Sequence, residues 1–238
     1  MMMLRRAEQR YHETTADRNS WYSYDPRRLA PLLALGMGEL PKLAEVLLAP
    51  GARMPAWANG PAEILTHVLE GTLAQADASG HTGVLQTGEF QRMSIDVRTN
   101  LTERNASPTA GLRVLRLFMQ PAGPELSTRR EQQRFPFATR RGVLRLIASA
   151  DGHKDSLQIR QPAEVYASTL DVGRNLIHAL SPDHVVWLHI LRGEVTLDDL
   201  VLDSGDSIGV ALEPAISFRA LDLSEILLLD LGPVPSVA

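Results

Sequence analysis

Two stretches of this chain echo each other. Thr66-His67-Val68-Leu69-Glu70-Gly71-Thr72-Leu73 is matched by Leu188-His189-Ile190-Leu191-Arg192-Gly193-Glu194-Val195. Each reads as an apolar strand, a glycine and a second strand. Each is followed by a second turn of one type, Thr87-Gly88-Glu89 in the first copy and Ser204-Gly205-Asp206 in the second. Self-similarity at this separation means one supersecondary unit used twice, so the chain is expected to contain two copies of one β-module. The surrounding pattern agrees. Apolar runs of about five to eight residues, bounded by Gly, Pro, Asp or Asn, predict strands over 44–49, 63–69, 112–119, 143–148, 157–161, 185–191 and 225–231. Helix signals are scarce, the clearest being 26–35, where Asp25 suits the N-cap and Pro26 the first helical position.

The segment Arg129 through Gly142 is charged and carries Pro136, which reads as a connector. The boundary is placed there, giving modules 1–142 and 143–238. At 238 residues the chain is long enough for two such modules, and for cores that need no disulfide or structural metal. It contains no cysteine, which removes disulfides, thiolate zinc sites and cysteine nucleophiles together. The net charge of -4 arises from 24 basic and 28 acidic residues mixed along the chain, so no field favours nucleic acid. The opening Met1-Met2-Met3-Leu4-Arg5-Arg6 lacks the apolar run of a secretion signal or membrane span. A soluble cytoplasmic protein is expected, with no membrane partner, and monomeric because closed modules leave few free strand edges.

With these blocks in view the chain resembles the pirin family, whose members are double cupins, all-β chains of two jelly-roll barrel modules. The resemblance is carried by Glu63 through Gly71, by Gly88-Glu89-Phe90-Gln91-Arg92-Met93-Ser94 and by Leu115 through Pro121. It continues in Glu131-Gln132-Gln133-Arg134-Phe135, Leu146-Ile147-Ala148-Ser149 with Ser156-Leu157-Gln158-Ile159, and Ile226 through Leu231. The N-terminal Ser20-Trp21-Tyr22-Ser23-Tyr24-Asp25-Pro26 is a shortened version of the family's aromatic segment.

What the resemblance implies is a single metal, commonly iron, held in the first barrel by three histidines and a glutamate. Some members have activity like that of quercetin dioxygenases, and others are interaction partners of other proteins. Imidazole and carboxylate suit divalent iron, and open coordination positions admit substrate and dioxygen. Carried over position by position, the two paired histidines fall on Trp57 and Asn59, the third on Leu101 and the glutamate on Glu103. Only the carboxylate is kept. The glycine-rich stretch before the third histidine is replaced by Ile95-Asp96-Val97-Arg98-Thr99-Asn100. No metal cofactor and no catalytic residue are therefore expected, and the alternative that the resemblance leaves open is a metal-dependent quercetin 2,3-dioxygenase-like enzyme with a divergent ligand set.

Two readings of the four positions stay open: Trp57 and Leu101 fill the old cavity with apolar volume, or Trp57, Asn59, Leu101 and Glu103 line a remodelled pocket for a small molecule. A third set, Glu63 and Glu103 with an oxygen from Asn59, would suit a hard cation. Glu103 buried without a metal needs a cation or donors, and Arg98, Arg104 and Asn100 are the neighbours in sequence. His67 and His189 recur in both modules and are read as core histidines, whereas His12, His81, His153, His178 and His184 are scattered and default to solvated positions. Asp198, Asp199, Asp203 and Asp206 read as a strand edge and its turn. Arg129, Arg130, Arg140 and Arg141 in the connector form the candidate docking surface for an acidic protein partner.

Overall fold

The computed structural model describes residues 1–24, 42–55, 62–77, 80–95, 101–119 and 130–233. Within them the chain forms 21 strands, β1 to β21, and only short helical turns such as Phe137–Arg140. The expected helix over 26–35 lies outside the described residues. Contacts divide the chain into two compact units. One takes residues 11–24 and 42–135, and the other takes residues 1–10 and 136–233.

The first unit contains β2 (Tyr11–Thr14), β3 (Arg18–Tyr24), β4 (Lys42–Leu48), β5 (Ala62–Glu70), β6 (Thr72–Asp77), β7 (Thr82–Gln86), β8 (Glu89–Ile95), β9 (Leu101–Asn105), β10 (Leu112–Met119) and β11 (Arg130–Arg134). A seven-stranded sheet runs β11-β8-β5-β10-β4-β3-β2, and a three-stranded sheet runs β7-β6-β9. Val46, Leu48, Val68, Leu112 and Val114 from the large sheet meet Leu73 and Leu85 from the small one, so the apolar core lies between two facing sheets. A second cluster, Ile64, Met93 and Ile95 with the half-buried Leu101 and Phe118, packs along the same interior.

The second unit repeats the plan with β1 (Met2–Arg5) and β12 to β21. These strands are β12 (Arg145–Ser149), β13 (Leu157–Gln158), β14 (Glu164–Leu170), β15 (Asn175–Ala179), β16 (His184–Arg192), β17 (Glu194–Leu197), β18 (Leu200–Asp203), β19 (Ser207–Ala211), β20 (Ala215–Ala220) and β21 (Ser224–Pro233). The large sheet of this unit is β1-β19-β16-β21-β14-β12-β13, and its small sheet is β15-β20-β17-β18.

The sequence echo is a structural one. Gly71 and Gly193 turn β5 into β6 and β16 into β17 with φ of +87° and +84°. A Cβ at Gly193 would come within 2.5 Å of the Leu223 carbonyl oxygen, and one at Gly71 within 2.8 Å of the Gly111 carbonyl oxygen. Both the left-handed backbone and the close approach require glycine.

The structure divides the chain at residue 135, where the sequence reading had placed the boundary at Gly142, and it sends the first ten residues to the other unit. The cause of the second difference is local. β1 adds to the edge of β19, with Met2 opposite Val210 and Arg5 opposite Ser207. The buried Asp206 then accepts hydrogen bonds from the Ala7 backbone N–H and from Arg6 Nη1, each at 2.7 Å. Asp206, read in sequence as part of a turn, therefore also anchors the N-terminal segment.

Candidate functional site

Strand register shows what occupies the middle of the first barrel. On β5, Thr66 lies opposite Arg116 of β10 on one side and Gln91 of β8 on the other. In the small sheet Gln75 of β6 lies opposite Glu103 of β9. Residues directly opposite share a face, and Arg116 shares its face with the core residues Leu112 and Val114. All five side chains therefore point between the sheets.

Four of them form one network. Arg116 Nη2 donates to Glu103 Oε1 at 2.6 Å, and Gln75 Nε2 donates to the same oxygen at 2.8 Å. Gln75 and Gln91 exchange amide hydrogen bonds of 2.8 and 2.9 Å. The Arg116 side chain is 1% exposed and that of Glu103 6%. An ion pair this dry is held by hydrogen bonding at close range, because isolated charges would not stay in such a place. Arg116 Nε has no hydrogen-bond partner among the described residues.

The second barrel shows the alternative. Leu188 of β16 lies opposite Leu228 of β21 and Ile208 of β19, and Leu197 of β17 lies opposite Phe218 of β20. These five belong to one buried apolar core. The same register positions thus carry Thr66, Arg116, Gln91, Gln75 and Glu103 in one module and Leu188, Leu228, Ile208, Leu197 and Phe218 in the other. The fold does not require polarity there. The first barrel alone has it.

Of the four positions matched to a metal site, Trp57 and Asn59 lie outside the described residues. Leu101 and Glu103 alternate inward on β9 with Asn105. Leu101 joins the apolar cluster of Ile64, Met93 and Ile95 and offers no donor to a metal. Glu103, the one retained ligand type, is committed to a guanidinium and an amide. Arg104, one of the cations expected for it, points to the exposed face, and Arg98 and Asn100 lie outside the described residues. The partner is Arg116, on the next strand, β10, which lies in the facing sheet.

The hard-cation set does not assemble either. Glu63 lies opposite Ser94, and Leu65 opposite Arg92, on the face of β5 that looks away from Glu103. There Glu63 Oε1 accepts from Arg92 Nε at 2.7 Å, in a pair as buried as the first. His67 shares that face, stacked on Phe90 with ring centroids 3.8 Å apart, while its counterpart His189 is fully buried with Nδ1 2.8 Å from Ser207 Oγ. Both are core histidines. Among the described residues no three His, Cys, Asp or Glu side chains are arranged to hold a metal ion. The residues present in the first barrel do not fit an iron centre of three histidines and a glutamate.

The described connector arginines are divided between the two units. Arg129 lies outside the described residues. Arg130, on β11 of the first unit, is half-buried with Nη2 3.7 Å from Asp77. Arg140 and Arg141 belong to the second unit, where Arg140 is buried and Arg141 makes bonds of 2.8 and 3.0 Å to the two oxygens of Asp171. Those bonds raise the Arg141 pKa and lower that of Asp171.

One polar cluster was not foreseen. His178 Nε2 and His184 Nδ1 meet opposite oxygens of Asp230 at 2.9 and 2.6 Å. Burial pushes the Asp230 carboxyl upward, but the bonds from the two imidazoles outweigh it and hold the group below the usual aspartate range. Beside them Tyr166 donates to Glu164, its ring edge-on to His178. Burial, reinforced by that bond, pushes the Tyr166 phenol up. Residues that read as scattered are brought together because β14, β21 and β16, which carry Tyr166, Asp230 and His184, are sheet neighbours, and β15 of the facing small sheet supplies His178. An aspartate between Leu229 and Leu231 in an otherwise apolar run was the available signal.

Two facing-sheet modules of one plan in a single chain define a double cupin. Residues 146–231 match the quercetinase C-terminal cupin domain family. A solved structure, YhhW from Escherichia coli, is 30% identical, covers 98% of this chain and 99% of its own, and superposes with a TM-score of 0.88. Bacterial pirin YhhW of E. coli in complex with nickel(II) is 29% identical, with a TM-score of 0.84 over 98% of this chain and 100% of that one. Among curated relatives, quercetin 2,3-dioxygenase of E. coli strain K12 is 29% identical over 234 residues, 98% of this chain and 100% of the relative. The chain belongs to the pirin family. No helix among the described residues is long and apolar enough to cross a membrane.

Proposed function

We propose that this pirin-family protein acts through its first barrel as a small-molecule-binding or regulatory protein without an iron centre. The observation that carries this reading is the exchange of the retained carboxylate's partner: Glu103 is neutralised by Arg116 at 2.6 Å inside the barrel. Leu101 beside it supports the same reading, since its side chain has no lone pair to offer.

The polar network between the sheets supports binding in place of plugging. A barrel serving only as packing is best filled as the second one is, with Leu and Phe. Here Gln75, Gln91, Glu103 and Arg116 stand between the sheets instead, and the half-buried Leu101 and Phe118 lie along the same interior. Apolar walls with a few convergent polar groups are the usual make-up of a small-molecule site. Calorimetric titration of the purified protein with ferrous iron and with nickel(II) tests the metal-free half of this reading. The expected result is no saturable one-to-one binding. Stoichiometric binding of either ion overturns it.

A second reading is favoured by the relatives, among them a quercetin 2,3-dioxygenase and a pirin that binds nickel(II). In it the chain is a dioxygenase of that type with a divergent ligand set. It requires dioxygen uptake when quercetin and ferrous or nickel(II) ion are supplied together. Absence of uptake removes it.

A further inference from the structure

Loss of histidines alone does not account for a guanidinium buried in the middle of the barrel. A barrel that had merely lost its ligands needs no arginine there, and the second barrel carries Leu228 at the corresponding register position. We infer that Arg116 has taken over the electrostatic role of the metal: it supplies the positive charge that Glu103 requires, and it bars a divalent cation from the first barrel independently of the missing histidines. This rests on the reading of the first barrel as metal-free, and goes beyond it by naming the residue that enforces that state.

Three observations converge on it. Glu103 Oε1, one of the two oxygens with which the retained carboxylate could bind a cation, is bonded by Arg116 Nη2 at 2.6 Å. Arg116 is almost completely buried and lies between Leu115 and Leu117, so it cannot be an ordinary surface arginine turned inward. Thr66 and Gln91, its neighbours across β5, are uncharged, so among these facing groups the carboxylate of Glu103 is its ionic partner. A divalent ion approaching Glu103 would meet a fixed positive charge at short range in a poorly screened interior. The guanidinium does not lose its proton under ordinary conditions, so it cannot yield by titration.

Restoring the family's ligand types provides the test. The triple variant Trp57→His, Asn59→His, Leu101→His is made in two backgrounds, one keeping Arg116 and one with Arg116→Gln. Glutamine keeps a hydrogen bond to Glu103 without the charge, and Arg116→Leu, the residue of the second barrel, serves as an independent companion. Circular dichroism and cooperative unfolding confirm the folded state. Nickel(II) affinity is then read by calorimetry.

The expected result is that the triple variant with Arg116 binds nickel(II) at least about a hundredfold more weakly than either background lacking it, the scale of a like charge at close range in a low dielectric. Equal affinity in all backgrounds overturns the role given to Arg116 and leaves the metal-free reading of the natural protein standing. Failure of every variant to bind also overturns it, because removing the guanidinium then opens nothing. Stoichiometric nickel(II) in the unaltered protein overturns the underlying reading itself.

Discussion

Arg116→Leu is the perturbation that separates an ion pair from a filler. In the folded protein Arg116 Nη2 and Gln75 Nε2 share Glu103 Oε1, at 2.6 and 2.8 Å. Removing the arginine leaves Glu103, 6% exposed, with one neutral amide. Breaking a buried pair from one side costs about 3–5 kcal/mol, because the remaining charge stays desolvated. Glu103→Leu should cost a similar amount from the other side. The double variant Arg116→Leu, Glu103→Leu removes both charges and imitates the apolar row of the second barrel, so its loss should fall short of the sum by about 2 kcal/mol or more. Urea unfolding of the four proteins at pH 7 gives the cycle. If the single losses are each under about 1 kcal/mol, or if they add in the double variant, the pair does not hold the interior as described.

Asp230→Asn removes a carboxylate that accepts from both His178 and His184, and should lower stability at pH 7 by about 1.5–3 kcal/mol. Because the folded pKa of Asp230 lies below its unfolded value of about 3.9, its contribution is present above that pH and is lost as pH falls through the folded pKa. The gap between natural and variant unfolding midpoints should therefore close in acid, and a gap independent of pH refutes the assignment. Gly193→Ala, with φ of +84° and a carbonyl 2.5 Å from the new Cβ, should be far more destabilising in thermal melts than Gly80→Ala, where φ is +85° but nothing lies within 4 Å. Equal melts would show that the close approach is not what fixes this turn. Arg140→Glu places a carboxylate in a buried position near Glu225 and should reduce soluble yield and melting temperature, whereas Arg141→Glu loses only an exposed ion pair with Asp171 and should lower stability by no more than about 1 kcal/mol. The Arg141 variant is thus the clean probe of partner capture, and the reverse order of effects would refute the burial described.

Much of the fold was legible because the informative signal is short-range. The runs predicted over 63–69, 112–119 and 185–191 are β5, β10 and β16 with small changes at their ends. Strands such as β9 and β15 were less visible, since Leu101–Asn105 and Asn175–Ala179 alternate polar and apolar residues without a continuous apolar run. The predicted 157–161 shrinks to Leu157–Gln158, because it pairs only with Ala148 and Ser149.

The site was legible in part for the same reason. Loss of histidine at Trp57, Asn59 and Leu101 is a statement about single positions and needs no geometry. The partner of Glu103 is a statement about two strands. Neighbours along the chain offer Arg98, Arg104 and Asn100, while the packing of one sheet on the other delivers Arg116. One clue was present: a charge inside a strand buried on both faces, as in Leu115-Arg116-Leu117, demands an opposite charge somewhere in the fold. The same clue marks Asp230, and Glu63 on the strand that bears His67. It names the residue that must be satisfied, but not the one that satisfies it.

If the guanidinium of Arg116 stands in the first barrel in place of a divalent cation, the protein carries no bound transition metal. Elemental analysis of the unaltered protein, isolated without chelators or an added metal and normalised to protein concentration, tests it most directly. Iron, nickel, manganese, copper and zinc should each be far below one per chain. Any of them near one per chain contradicts the account.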